Sequence, residues 1–185
     1  RVTIGDTRAS KVQELLGYTK CVGRFEDDGE FHIFSPTDYG TSYDYTYRND
    51  FVPTSHGFFS KVYRSRLVLP NKIIVQSSSD HSPSYTGNAT STASFALLPK
   101  TGRPIVMRLA SNAQATSIAE AMIQKLEVEH EKGNGYAPMN VGQEVYDYIN
   151  ITDDIENDAR AGNIGYLERT YGGNTYNIGF GFGDI

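Results

Sequence analysis

The residues of this chain that could do chemistry are few and scattered. The densest group is Asp153-Asp154-Ile155-Glu156-Asn157-Asp158, with four carboxylates in six positions. Clustered carboxylates are the donors that Ca²⁺ takes. The run lacks both the central glycine and the glutamate at the twelfth position that an EF-hand loop uses, so a solvated acidic loop is expected. Asp27, Asp28 and Glu30 suit turn chemistry better than an acid/base pair, because no aligned partner carboxylate follows from the sequence. His32, His56, His81 and His130 show no HExxH or HxH spacing. His81 lies among serines, but a Ser/His pair also needs an orienting group and oxyanion donors, which a Ser-rich loop does not supply. The tail Gly179-Phe180-Gly181-Phe182-Gly183-Asp184 superficially looks like a phosphate loop. No helix follows to present its N-terminus to an anion, so a terminal strand is expected. The single Cys21 can close no intramolecular disulfide and is expected as a small apolar residue in a strand. No catalytic, cofactor-binding or metal-ligating set is assigned, and a non-enzymatic role is expected.

One constellation points to binding rather than catalysis. Tyr43, Tyr45 and Tyr47 alternate with Asp44 and Thr46, so on a strand the three rings share one face. Such a face could stack on a sugar or a partner protein. It is also what an ordinary half-buried strand looks like. The chain holds 13 Tyr, 9 Phe and no Trp. Many tyrosines with many glycines suit strands, turns and extended contact surfaces.

The elements that must position these residues read as mostly strand. The clear long helix lies within Arg108–Gly133. Ser111 is its cap, Gln114 stands at the capping-box spacing, and Ala115, Ile118, Ala119, Met122 and Leu126 form one stripe. A single striped helix between strands predicts a helix laid on a barrel or sandwich. A second, short helix is expected over residues 6–16, capped by Asp6 or Thr7, with Ala9, Val12, Leu15 and Leu16 inward. A hairpin follows, Cys21–Phe25 with Phe31–Phe34, turned at Asp28-Gly29.

Further strands are expected near residues 43–47, 58–63, 72–76, 105–109 and 145–151. Residues 77–93 read as a polar surface loop, 136–141 as an extended connection and 152–162 as an acidic loop. A last hairpin joins Ile164–Tyr171 to Thr175–Phe180. The fold class expected is therefore α+β, mainly β: an antiparallel β-barrel or sandwich flanked by one long helix, with a small N-terminal helix-plus-hairpin unit. The expected division is 1–60 for that small unit and 61–185 for the barrel-like domain with its helix at 111–132.

Bulk properties exclude some functions. The 185 residues carry a formal net charge of −5, and the pI is about 5.3. That argues against binding nucleic acid by neutralising phosphates, and against docking on an anionic membrane. No apolar run reaches the length of a membrane-spanning helix. The chain begins with Arg1 rather than Met, as a fragment of something longer would.

Taken in order, several stretches resemble a known family. They are FEDDGEFHIFSP (25–36), the Tyr-Asp-Tyr strand, RLVLPNKIIVQS (66–77) and YTGNATSTASFAL (85–97). RLASNAQATSIAEAMIQKL (108–126), VGQEVYDYINITD (141–153) and GNIGYLERTY (162–171) follow. The ordered set, over about residues 6 to 178, resembles the hub or baseplate-type structural proteins at the tail tip of tailed bacteriophages and prophages, which share a fold with tail tube subunits. The resemblance implies a virion tail component assembled in the host cytoplasm. Its implied partners are other tail proteins and copies of itself, in a ring or possibly a trimer, around the tail channel. It implies no cofactor and no catalytic residue. An acidic channel wall suits such a role, because it repels phosphates and lets a duplex slide. The alternative is a carbohydrate- or receptor-binding β-domain that uses Tyr43, Tyr45 and Tyr47 or the 77–93 loop.

Overall fold

The computed structural model describes residues 7–37, 40–50, 53 and 55–183. Asp6 and Asp184 lie outside them. Along the chain come α1 (Arg8–Leu16), β1 (Val22–Phe25), β2 (Phe31–Phe34), β3 (Tyr45–Arg48) and β4 (Ser60–Ser65). Next are β5 (Lys72–Ser77), β6 (Thr86–Thr90), α2 (Thr92–Leu97), β7 (Ile105–Met107) and α3 (Asn112–Val128). The chain ends with β8 (Glu131–Pro138), β9 (Tyr148–Asp153), β10 (Asp158–Gly172) and β11 (Thr175–Phe182). The fold is α+β and mainly β. Its contacts divide it into two compact units, Arg1–Ser35 with Leu67–Glu127, and Pro36–Arg66 with Val128–Ile185. The units are interleaved along the chain, whereas the sequence suggests consecutive pieces meeting at 60/61.

In the first unit, α3 packs on the three-stranded sheet β6-β5-β7. Its start follows the sequence rule. The Gln114 amide donates to Ser111 Oγ at 3.1 Å, and the Gln114 side chain reaches back to accept from the Ala110 amide at 2.7 Å. Ala115 and Ala119 are fully buried, Ile123 lies beside them, and Ile73, Val75 and Leu109 complete this core. Small residues on α3 let β6 come close: a Cβ on Gly87 would stand 2.3 Å from the Thr116 backbone nitrogen. β6 lies in the 77–93 stretch expected to be loop, and α2 begins at its end, a correction that follows from the stretch's small polar residues, which show no apolar alternation. β5–β7 and β3–β9 pair in parallel, so the links are not all antiparallel.

The β1–β2 hairpin has the expected turn, with Gly29 at φ +79°, and pairs Val22 with Phe34 through Phe25 with Phe31. α1 is capped as expected, the Ser10 amide donating to Thr7 Oγ1 at 3.1 Å. Its apolar residues are not inward, however. None of α1 is buried, and Val12 and Leu15 are exposed.

The second unit is one six-stranded sheet, ordered β3-β9-β10-β11-β8-β4. It is open, with β3 and β4 at its edges, so the structure has the sandwich-like rather than the closed-barrel form of the expected fold. Tyr47, Ala137, Ile149, Ile151, Ile164, Ile178, Phe180 and Phe182 make its core. β8 replaces the expected helix end and extended connection. Gly133 looks like a helix terminator, but on β8 it and Gly135 leave room for rings: a Cβ on either would meet Phe182 or Phe180 at 2.2–2.4 Å. The expected acidic loop 152–162 shrinks to a tight turn, because β10 already begins at Asp158.

Candidate functional site

The tyrosine face is turned into the protein. Tyr43 is half-buried ahead of β3, its ring centroid 5.3 Å from that of Tyr148. Tyr45 is half-buried and meets His56 edge-on. Tyr47 is completely buried against Phe180, with centroids 5.1 Å apart. β3 therefore aims its alternate residues at the core of its own sheet. Tyr47 Oη donates to Gln143 Oε1 and accepts from Asn140 Nδ2 at 3.3 Å. Burial, the dominant cause, pushes the Tyr47 phenol up to about 12. The segment around His56 covers the outer edge of β3: the His56 amide donates to Thr46 at 2.9 Å and the Arg48 amide to His56 at 2.7 Å.

The acidic residues converge on cations rather than on one another. Lys61 on β4 has a side chain only 7% exposed, and its Nζ lies 3.0 Å from Asp153, 3.2 Å from Asp158 and 3.4 Å from Glu156. Arg48 pairs with Asp154 at 3.1 Å, and Arg160 with Asp158 at 2.8 Å and with Glu131. Both cations lie over the Tyr63 ring, Lys61 Nζ 5.1 Å and the Arg160 guanidinium 5.4 Å from its centroid. Burial pulls the Lys61 ammonium down, but the hydrogen bonds to Asp153 and Asp158 outweigh it and hold Lys61 above its ordinary value. The same bond from Lys61 is the main cause holding Asp153 below the usual carboxylate range. Burial pushes Tyr63 up to about 12. Among the described residues no group of three or more His, Cys, Asp or Glu side chains is placed to hold a metal ion.

In a flat sheet, β4 and β9 would lie four strand spacings apart, about 19 Å at ~4.8 Å each. The Lys61–Asp153 contact shows how far this sheet coils. Ion pairs, rather than backbone hydrogen bonds, span the gap.

The other candidate residues stay apart. His32 Nε2 sits 2.8 Å from Asp28 across the first hairpin, and His81 Nδ1 is 2.9 Å from the Pro83 carbonyl oxygen. The glycine-rich tail is β11, with Tyr166 lying on Gly181. Among the described residues no helix is long and apolar enough to cross a membrane. The sequence reading missed Lys61 altogether. A lone lysine on an edge strand carries no motif, and its partners lie about a hundred residues downstream.

No protein-family model and no curated protein matches the chain. Its fold does match solved structures. The prophage MuSo2 43 kDa tail protein from Shewanella oneidensis aligns with a TM-score of 0.64 at 9% identity, over 98% of this chain and 54% of that one. A tail protein from Neisseria meningitidis MC58 aligns with a TM-score of 0.70 at 9% identity, over 98% and 55%. A chain of the virion of a native gene transfer agent particle aligns with a TM-score of 0.61 at 12% identity, over 100% and 40%. The chain thus spans about half the length, or less, of the proteins it is similar to. Across nearly its whole length it carries the fold of phage and prophage tail proteins.

Proposed function

We propose that the chain is a non-enzymatic structural component of a phage or prophage tail, of the tail-tip or baseplate-hub type, acting through subunit assembly around the tail channel. The observation that carries this reading is the fold match, which covers 95–100% of the chain in tail proteins and a virion particle. Two features support it. The tyrosine face lies against the chain's own core, as in a packed building block, and the net charge of −5 suits a surface past which DNA must slide. Its partners on this reading are other virion tail proteins and copies of itself, in a ring or a trimer. Its place is the virion tail, after assembly in the host cytoplasm.

Light scattering over a wide concentration range, with negative-stain images of the same sample, tests the reading. Trimers, hexamers or rings are expected. A strict monomer that binds a saccharide, with binding lost in Tyr43→Ala, would overturn it in favour of a carbohydrate-binding β-domain.

A further inference from the structure

A hollow of about 340 Å³ opens beside the edge strand β4. Its apolar lining includes Val62, Tyr166 and Phe182, and its charged lining is Arg64, Arg66, Lys132 and the single carboxylate of Glu129, with His130 beside them. Glu129 lies 3.6 Å from Arg66 and 4.0 Å from Lys132. Arg64 has no carboxylate partner among the described residues. The hollow is therefore a local cationic site with apolar walls on an acidic protein.

The same sheet presents the complementary shape elsewhere. The turn between β9 and β10 carries Ile155, 87% exposed, between Asp154 and Glu156, whose side chains are 45% and 68% exposed. The turn is rigidly built. The Asp153 carboxylate accepts from the Ile155 and Glu156 amides at 3.1 and 3.2 Å, and Asn157 adopts φ +51°. An apolar knob flanked by carboxylates, held in one conformation, loses little entropy on docking.

We propose that the 154–156 turn of one copy docks into the Arg64/Arg66/Lys132 hollow of a second copy. Ile155 enters against Val62 and Tyr166, and Asp154 and Glu156 meet the cations. The inference rests on the reading of the chain as a self-assembling subunit and names the contact. Turn and hollow are different surfaces, so the contact is heterologous. Each copy gives its turn to one neighbour and its hollow to the other, and the series closes into a ring or runs on as a filament. One turn in one hollow buries little area, so a single contact is weak, and closure of a ring adds avidity.

Sedimentation velocity on the 185-residue chain tests this, using Ile155→Asp, a hollow variant (Arg64→Glu with Arg66→Glu) and a turn variant (Asp154→Lys with Glu156→Lys). Wild-type self-association should weaken at least tenfold in each, and also in 1 M salt, where the screening length is about 3 Å. The intact turn of the hollow variant fits the intact hollow of the turn variant, and the reversed turn of the one fits the reversed hollow of the other, so an equimolar mixture should associate by alternation where neither variant does alone. All four charge reversals in one chain should restore association. Circular dichroism checks that each variant folds. If the hollow variant does not fold, Ile155→Asp alone decides, since its side chain points into solvent. Rings that survive Ile155→Asp would overturn this contact and leave the assembly reading standing. A wild-type monomer at every concentration, or a mixture of the two charge variants that stays dissociated, would also overturn it. So would association lost in the hollow variant but kept in the turn variant, which would give the hollow to a different acidic partner.

Discussion

Lys61 Nζ stands 3.0 Å from the Asp153 carboxylate although β8, β11 and β10 lie between their strands. The pair joins the two flanks of the coiled sheet. Replacing Lys61 with Met should leave Asp153 without its cation, while Asp158 keeps Arg160 at 2.8 Å. Breaking a well-buried pair costs about 3–5 kcal/mol, and water access to the more exposed Glu156 and Asp158 should reduce this to about 2 kcal/mol. Urea unfolding measures it. An unchanged midpoint would mean that the sheet coils without the ion pair.

The pH profile follows from the same pair. Asp153 titrates lower folded than unfolded, so its contribution is present above its unfolded value of about 3.9 and is lost as pH falls through the folded value. Lys61 titrates higher folded than unfolded, so its contribution is present below about 10.4 and is lost as pH rises through the folded value. Stability from the pair should therefore hold between about pH 4 and 10. Asp153→Asn should flatten the acid limb of a plot of midpoint against pH. An acid limb identical to wild type would show that other carboxylates set it.

Tyr47 separates packing from hydrogen bonding. Tyr47→Ala empties a fully buried ring site beside Phe180 and should cost about 3–5 kcal/mol. Tyr47→Phe keeps the ring and orphans Gln143 Oε1, which should cost about 1 kcal/mol. Chemical denaturation of the two variants should give this order. Equal losses would mean that the hydroxyl network, not the ring, carries the site.

Gly87→Ala should be worse than Gly29→Ala. At Gly87 the new methyl meets the α3 backbone at 2.3 Å, and parting helix from sheet should cost about 2–3 kcal/mol. At Gly29 the space is open and only φ +79° is strained, at about 1 kcal/mol. Thermal melts of both would reveal a reversed order, which would mean that β6 yields easily.

What the sequence made legible is what local chemistry decides. The Ser111–Gln114 capping box, the Asp28-Gly29 hairpin and the 164–180 hairpin each depend on residues a few positions apart, and each is found in the structure. What stayed hidden depends on distant partners. β8 is glycine-rich because Phe180 and Phe182, over forty residues later, fill the space above Gly135 and Gly133. β6 is a strand because it borders β5 and lies under α3, not because Thr86–Thr90 alternates. The apolar stripe of α1 reads as a core face, and the protein leaves it exposed.

The interleaved units bear on how the chain reaches its native state. β4 pairs antiparallel with β8, yet the whole 67–127 stretch of the other unit lies between them in sequence. Bringing those two strands together requires closing a very long loop before any pairing energy is returned, which slows folding even when it costs stability little. Until that closure β8 is without β4, and the edge it leaves open is an invitation to pair with the wrong chain. No single cut in the sequence releases either unit whole. A ribosome therefore cannot finish the six-stranded sheet until its last strand, β11, has emerged.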